Sequence, residues 1–147
     1  MDNGAVAVHG ATRIGLAVLD GFLGLTAVLG GIMLVINRFT PPLDMLAGSP
    51  FASYLIPGLA LLVLVGGGGF LASALVLRRS PWGTAVSSAA GLMVLIFEAV
   101  ELVVIGFTWL LAFYVLLGVA ILALAARLWL AGQPVAMRGH LRMQAPR

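Results

Sequence analysis

The stretch YLIPGLALLVLVGGGGFLASALVL, residues 54–77, followed by RRSPWG, residues 78–83, decides the fold. The first run holds no charged residue. It is long enough to cross a bilayer as one helix, which takes about 20 mostly apolar residues. Two arginines and Ser80-Pro81-Trp82-Gly83 then end the run and leave room only for a tight hairpin before the next apolar segment. Outward from this unit, uncharged stretches recur at residues 21–37, 80–97 and 102–126. The simplest parse is four helices, roughly 14–37, 54–77, 84–105 and 108–130. One helix through 84–130 would be about 70 Å long, more than twice a hydrocarbon core, so Gly106-Phe107-Thr108 is read as a turn. Pro41, Pro42, Gly48 and Pro50 fill the first loop, and Gly132-Gln133-Pro134 stops the last helix. The expected fold class is all-α: a polytopic four-helix transmembrane bundle. It forms a single transmembrane domain over residues 1–147, with a basic tail at 132–147.

Composition agrees. Of 147 residues, 62% are hydrophobic and 9% charged, and mean hydropathy is +1.15. Soluble domains run near 45–50% apolar and about 25% charged, so a water-soluble fold is excluded. Disorder needs the opposite balance. Cysteine is absent, which removes disulfides, thiolate metal sites and iron–sulfur clusters. The apolar run Ile14 to Asn37 exceeds the roughly 7–15 residues of a signal-peptide core, so it is read as a retained helix. The lipid bilayer is the expected surrounding.

All eight basic residues are arginine, and the net charge is +3. In this parse Arg13, Arg78, Arg79, Arg127, Arg138, Arg142 and Arg147 fall on one side and Arg38 on the other. The positive-inside bias then puts both termini in the cytoplasm. Topology accounts for the basic balance, and no nucleic-acid partner is expected. Tyr54, Trp82, Trp109 and Trp129 lie near the helix ends, as interfacial aromatics do.

Lipid tails give helices no hydrophobic reason to associate, so small residues that admit close contact matter more. Helix one carries Ala17-x-x-x-Gly21, Gly24 and Gly30-Gly31, and helix three Ser87-x-x-x-Gly91. Helix two carries Gly66-Gly67-Gly68-Gly69. Backbone groups in lipid must stay hydrogen-bonded, so this run is expected to remain helical. Gly21, Gly66, Gly67, Gly68, Gly69 and Gly91 are expected packing positions; a hinge or an unwound ligand site is the alternative at the run.

Three carboxylates fall within the helices. Glu98 and Glu101, spaced i, i+3, share one face of helix three. An apolar setting and a like-charged neighbour disfavour double ionisation, so the pair is expected to hold a proton near neutrality. That suits proton carriage or cation binding; a neutral pair that fixes helix packing is the alternative. A tight turn at 106/107 puts Tyr114 level with Glu98 as a candidate donor and member of the same site, with Trp109 nearer Glu101. Asp20 shares a face with Arg13 but lies about 10 Å along the axis from it. It is expected to differ in depth from Glu98 by about 10 Å. His9 and His140 fall outside the apolar runs. No metal site, cofactor, catalytic set or enzymatic activity is expected.

Tyr54-Leu55-Ile56-Pro57-Gly58-Leu59, the glycine-rich helix, Arg78-Arg79-Ser80-Pro81-Trp82-Gly83 and a third helix with Glu98 and Glu101 resemble an uncharacterised family of small four-helix bacterial integral membrane proteins. Helix number and chain length are also similar to the DoxX-like family, although helix two here has no acidic residue and the cysteines of some redox-linked members are missing. The resemblance implies a bacterial cytoplasmic-membrane protein. Three functions fit the sequence. The leading one is a non-enzymatic accessory or assembly subunit of a larger membrane system, with a membrane protein as partner. The second is a small proton- or cation-coupled carrier using Glu98 and Glu101 and working as a homo-oligomer. The third is a bundle that binds lipid or another apolar ligand near Gly66–Gly69.

The topology is testable directly. A reporter fused at the C-terminus is expected to behave as cytoplasmic, and one inserted near Gly48 as external. A C-terminus on the external side would mean an odd helix count or an inverted orientation, and either would overturn the parse.

Overall fold

In the computed structural model the described residues, 3–38 and 40–132, form four long helices joined by irregular segments. They are α1 (Asn3–Val35), α2 (Leu55–Leu77), α3 (Gly83–Val104) and α4 (Trp109–Gly132). Each contains a segment long and apolar enough to cross a membrane: Val8–Val35, Leu55–Leu77, Gly83–Val104 and Trp109–Ala131. The basic tail expected at 132–147, with Arg138, His140, Arg142 and Arg147, lies outside the described residues apart from Gly132. The one large difference in boundary is α1, which starts at Asn3 rather than near 14. A charge limits how far a helix sits in lipid, not whether the backbone stays helical. His9, Thr12 and Arg13 contain no helix breaker, and Thr12 Oγ1 donates back to the Val8 carbonyl at 2.9 Å.

Helix ends follow from backbone chemistry. At the end of α1, Asn37 takes φ 55° while the Asn37 and Arg38 amides reach back to Leu34 and Met33. At the end of α2, Arg79 takes φ 55° and the Arg79 and Ser80 amides bond Val76 and Leu75. Both are the left-handed closure that satisfies the last carbonyls of a helix, a position usually given to glycine and sometimes to asparagine. Gly106, at φ 95°, closes α3 and turns the chain into α4. The first loop carries a 3₁₀ turn, Leu43–Leu46. Tyr54, expected at a lipid interface, is instead 3% exposed and donates its hydroxyl to the Pro42 carbonyl at 3.2 Å. Trp82, Trp109 and Trp129 are exposed near helix ends.

The helices form a ring in which α1 packs on α2 and α4, and α3 packs on α2 and α4. Leu16, Leu23, Val65, Val94 and Ile121 are hidden at the centre. Large apolar side chains such as Ile14, Val63, Ile96, Val103 and Leu116 cover the outside. A soluble domain does not carry apolar surface this continuous.

The glycines decide how close the helices come. A Cβ on Gly69 would meet the Gly24 amide at 2.7 Å and the Asp20 carbonyl at 2.8 Å. One on Gly66 would meet Val28 Cγ2 at 2.6 Å, and one on Gly31 the Gly58 carbonyl at 2.7 Å. At these points α1 and α2 touch backbone to backbone, and only glycine fits. Gly21 faces Ser73 across the same seam. On the other side, Gly91 of α3 and Gly118 of α4 admit each other's helices. The four-glycine run, however, does not act as one packing surface. Gly67 and Gly68 would place a Cβ with nothing within 4 Å. The physical reason is helical spacing: positions 66 and 69 share a face, and 67 and 68 turn away from it. The run stays helical, as expected, but Leu61–Gly67 is wound as π-helix between two α-helical pieces.

Leucine at Gly66 or Gly69 should therefore push α1 and α2 apart and cost about 1–3 kcal/mol or more, since the clash is with backbone and nearby core. Gly67→Leu and Gly68→Leu should shift stability by no more than about 0.5 kcal/mol. Thermal unfolding of the four variants in detergent checks this; equal losses at all four positions would contradict the split.

Candidate functional site

Two layers of polar side chains lie inside the apolar bundle. The first is near the end that carries the Arg78–Trp82 hairpin. Asp20 of α1 is fully buried, and Ser87 of α3, also fully buried, donates its hydroxyl to Asp20 Oδ2 at 2.5 Å. Asp20 Oδ1 is buried and accepts no hydrogen bond from the described residues. Beside it, Ser73 of α2 donates to the Ala17 carbonyl at 2.8 Å. The close approach of α1 and α2 at Gly24 and Gly69 puts these groups in reach. The partner of Asp20 is thus Ser87 of α3, across the ring, and Arg13 does not bond it. The pairing had a signal in the sequence. Arg13 and Arg79 mark the same end of the bundle, and Asp20 and Ser87 follow them by seven and eight residues.

The second layer is near the opposite end of α3. Glu98 is 4% exposed, and its Oε2 is buried without a hydrogen-bond partner. Glu101, one turn further on, is half-buried. Burial of Glu98 follows from its helical face, which it shares with Ser87, Gly91 and Val94. Tyr114 is half-buried and packs against the core, with its ring edge-on to Phe113 at 5.5 Å. Among the described residues no hydrogen bond joins Tyr114 to Glu98, and Glu98 Oε2 is without a donor. Trp109 is 85% exposed and sits edge-on to Phe107. Glu98 and Glu101 thus lie one turn apart on α3, and neither candidate donor bonds them among the described residues.

The two layers are further apart than expected. Ser87 and Glu98 are eleven positions apart on α3, which is about 16 Å along the axis rather than about 10 Å. The buried residues of α3 between them are Ala90, Gly91 and Val94, and none of these side chains can relay a proton. Among the described residues, no group of three or more His, Cys, Asp and Glu could hold a metal ion. The arrangement can do two things chemically. It can hold a proton or a small cation at Glu98 and Glu101, and it can lock α1 to α3 through Asp20 and Ser87.

Removing the lock separates these roles. Ser87→Ala leaves both Asp20 oxygens without a donor and is expected to lower stability by about 1–2 kcal/mol. Glu98→Gln, which keeps shape and gains a donor, is expected to unfold within about 0.5 kcal/mol of the parent. Both are read by thermal or denaturant unfolding of the purified protein.

Compared with protein-family models, curated proteins and solved structures, the chain matches none, so its function is read from its own residues.

Proposed function

We propose that the protein is a non-enzymatic, multi-pass protein of a bacterial cytoplasmic membrane, with both termini cytoplasmic, that acts as a small proton- or cation-coupled carrier. Glu98 binds the travelling ion and Glu101 passes it to or from the nearer surface. One observation carries this reading: Glu98 is held inside the bundle with Oε2 unbonded. A buried acceptor left without a donor costs about 1–3 kcal/mol, and ionisable groups within membrane helices commonly mark ion pathways. A bound cation would pair with that oxygen, and a bound proton would remove the buried charge, where no side chain among the described residues bonds it. The Ala90–Val94 layer divides this site from Asp20, which supports an ion that enters and leaves by the Glu101 end until the helices shift.

The assembly-subunit reading has its own support. Ile96, Ala99, Val100, Val103 and Val104 form a shallow apolar groove of about 340 Å³ on the outer face of α3, where the helix of a partner would lie. For the third reading, an apolar ligand at Gly66–Gly69, α1 fills the positions at Gly66 and Gly69 and leaves space only at Gly67 and Gly68.

Proteoliposomes decide between them. With an imposed proton, sodium or potassium gradient, the parent is expected to pass at least one ion faster than empty vesicles, and Glu98→Gln to abolish that flux without loss of fold. Flux equal to empty vesicles for all three ions would overturn the carrier. Cross-linking from Ala99 or Val103 to a different membrane protein, with no such product from Leu116, would then favour the subunit.

A further inference from the structure

At the hairpin end of the bundle, α1, the α2–α3 connection and the start of α3 enclose a half-open cavity of about 170 Å³. Its polar lining is His9, Arg13, Arg79, Ser80 and Thr84. None of the described residues that line it is acidic. Among the described residues of α1 the carboxylate is Asp20, about 10 Å deeper than Arg13 and bonded to Ser87.

The pieces converge for separate reasons. His9 and Arg13 are spaced i, i+4 and so stack on one face of α1. Arg79 reaches the cavity because the closure of α2 is left-handed at that residue. Glycine takes that conformation without cost, whereas an arginine is strained there. Its neighbour Arg78 does not line the cavity. Ser80 and Thr84 add hydroxyls, and Gly83 begins α3, whose first turn brings the positive end of the helix dipole to the cavity wall. Every one of these groups can donate a hydrogen bond to an anion. The volume is below the ~300–1,000 Å³ of pockets for drug-sized ligands, so it suits one compact group.

We propose that this cavity binds a phosphate oxyanion, with Arg13 and Arg79 pairing its charge and Thr84 and Ser80 donating to its oxygens. Two sources share that chemistry: the headgroup of an anionic lipid, since the cavity lies at the helix ends where headgroups sit, and free phosphate. The site is independent of Glu98 and Glu101.

The test uses the full chain in phosphatidylcholine nanodiscs. One arm adds increasing phosphatidylglycerol and counts bound lipid by native mass spectrometry. The other adds inorganic phosphate and follows thermal unfolding. The informative variant is Arg79→Gly, which removes the cation and relieves the backbone, so it should fold at least as well as the parent. Arg78→Gln makes the same change in net charge one residue away. Arg79→Gly is expected to weaken binding by about 5-fold, and Arg78→Gln by less than about 2-fold. Thr84→Val, which leaves the charge unchanged, is expected to weaken it several-fold. Dependence on Arg79 in the lipid arm alone identifies a headgroup, and in the phosphate arm a free anion; either supports the site. Equal losses in Arg78→Gln and Arg79→Gly would show only a general positive surface and overturn it, as would binding that ignores Arg79 in both arms.

Discussion

The backbone contact between α1 and α2 is the constraint on which the rest of the bundle depends. Gly24 and Gly31 on one helix meet Gly66, Gly69 and Gly58 on the other with no side chain between. Helices surrounded by lipid gain nothing from hiding apolar groups, so close van der Waals contact and interhelical hydrogen bonds must hold them. The seam provides both. It brings Ser73 to the Ala17 carbonyl, and it fixes the rotation of α1 that turns Asp20 inward to Ser87. That rotation also leaves Ile14, Val18, Leu25 and Leu29 on the outside.

The two polar layers differ in kind. Asp20 is tied to a helix that has only slight direct contact with α1, so its bond with Ser87 acts across the ring as a cross-brace. Glu98 has no such tie. Its neighbours on the buried face of α3 are Val94 and Gly91, which offer no donor. A carboxyl that braces nothing and still occupies interior space carries a cost to folding, and that cost is the physical argument for giving it a task.

Much of this was legible in the sequence. The number of helices and their lengths follow from uninterrupted apolar runs, because a bilayer admits few other lengths. The hairpin at Arg78–Gly83 and the turn at Gly106 are local chemistry and read correctly. The shared burial of Glu98 and the partial burial of Glu101 follow from their i, i+3 spacing. What was hidden depends on partners. Four consecutive glycines look alike until a neighbouring helix selects Gly66 and Gly69 and ignores Gly67 and Gly68. Tyr114 lies at a suitable depth for Glu98, but depth does not fix azimuth, and no bond forms. The start of α1 at Asn3 is not marked in the sequence, because a charge marks only the limit of the apolar part and not the end of the helix.

The π-wound stretch Leu61–Gly67 has a consequence for how this chain tolerates change in length. An α-helix that loses one residue turns everything beyond the deletion by about 100°, which would carry Gly69 off the seam and Ser73 away from Ala17. A π turn is an α turn holding one residue more. A deletion inside Leu61–Val65 can therefore be absorbed by rewinding to α, with Gly69 and Ser73 still facing α1. The same deletion in α3, which has no such slack, would turn Glu98 toward lipid. Related chains of differing length should thus differ in α2 before Pro57-Gly58 and the glycine run lose their register, and not between Ser87 and Glu98.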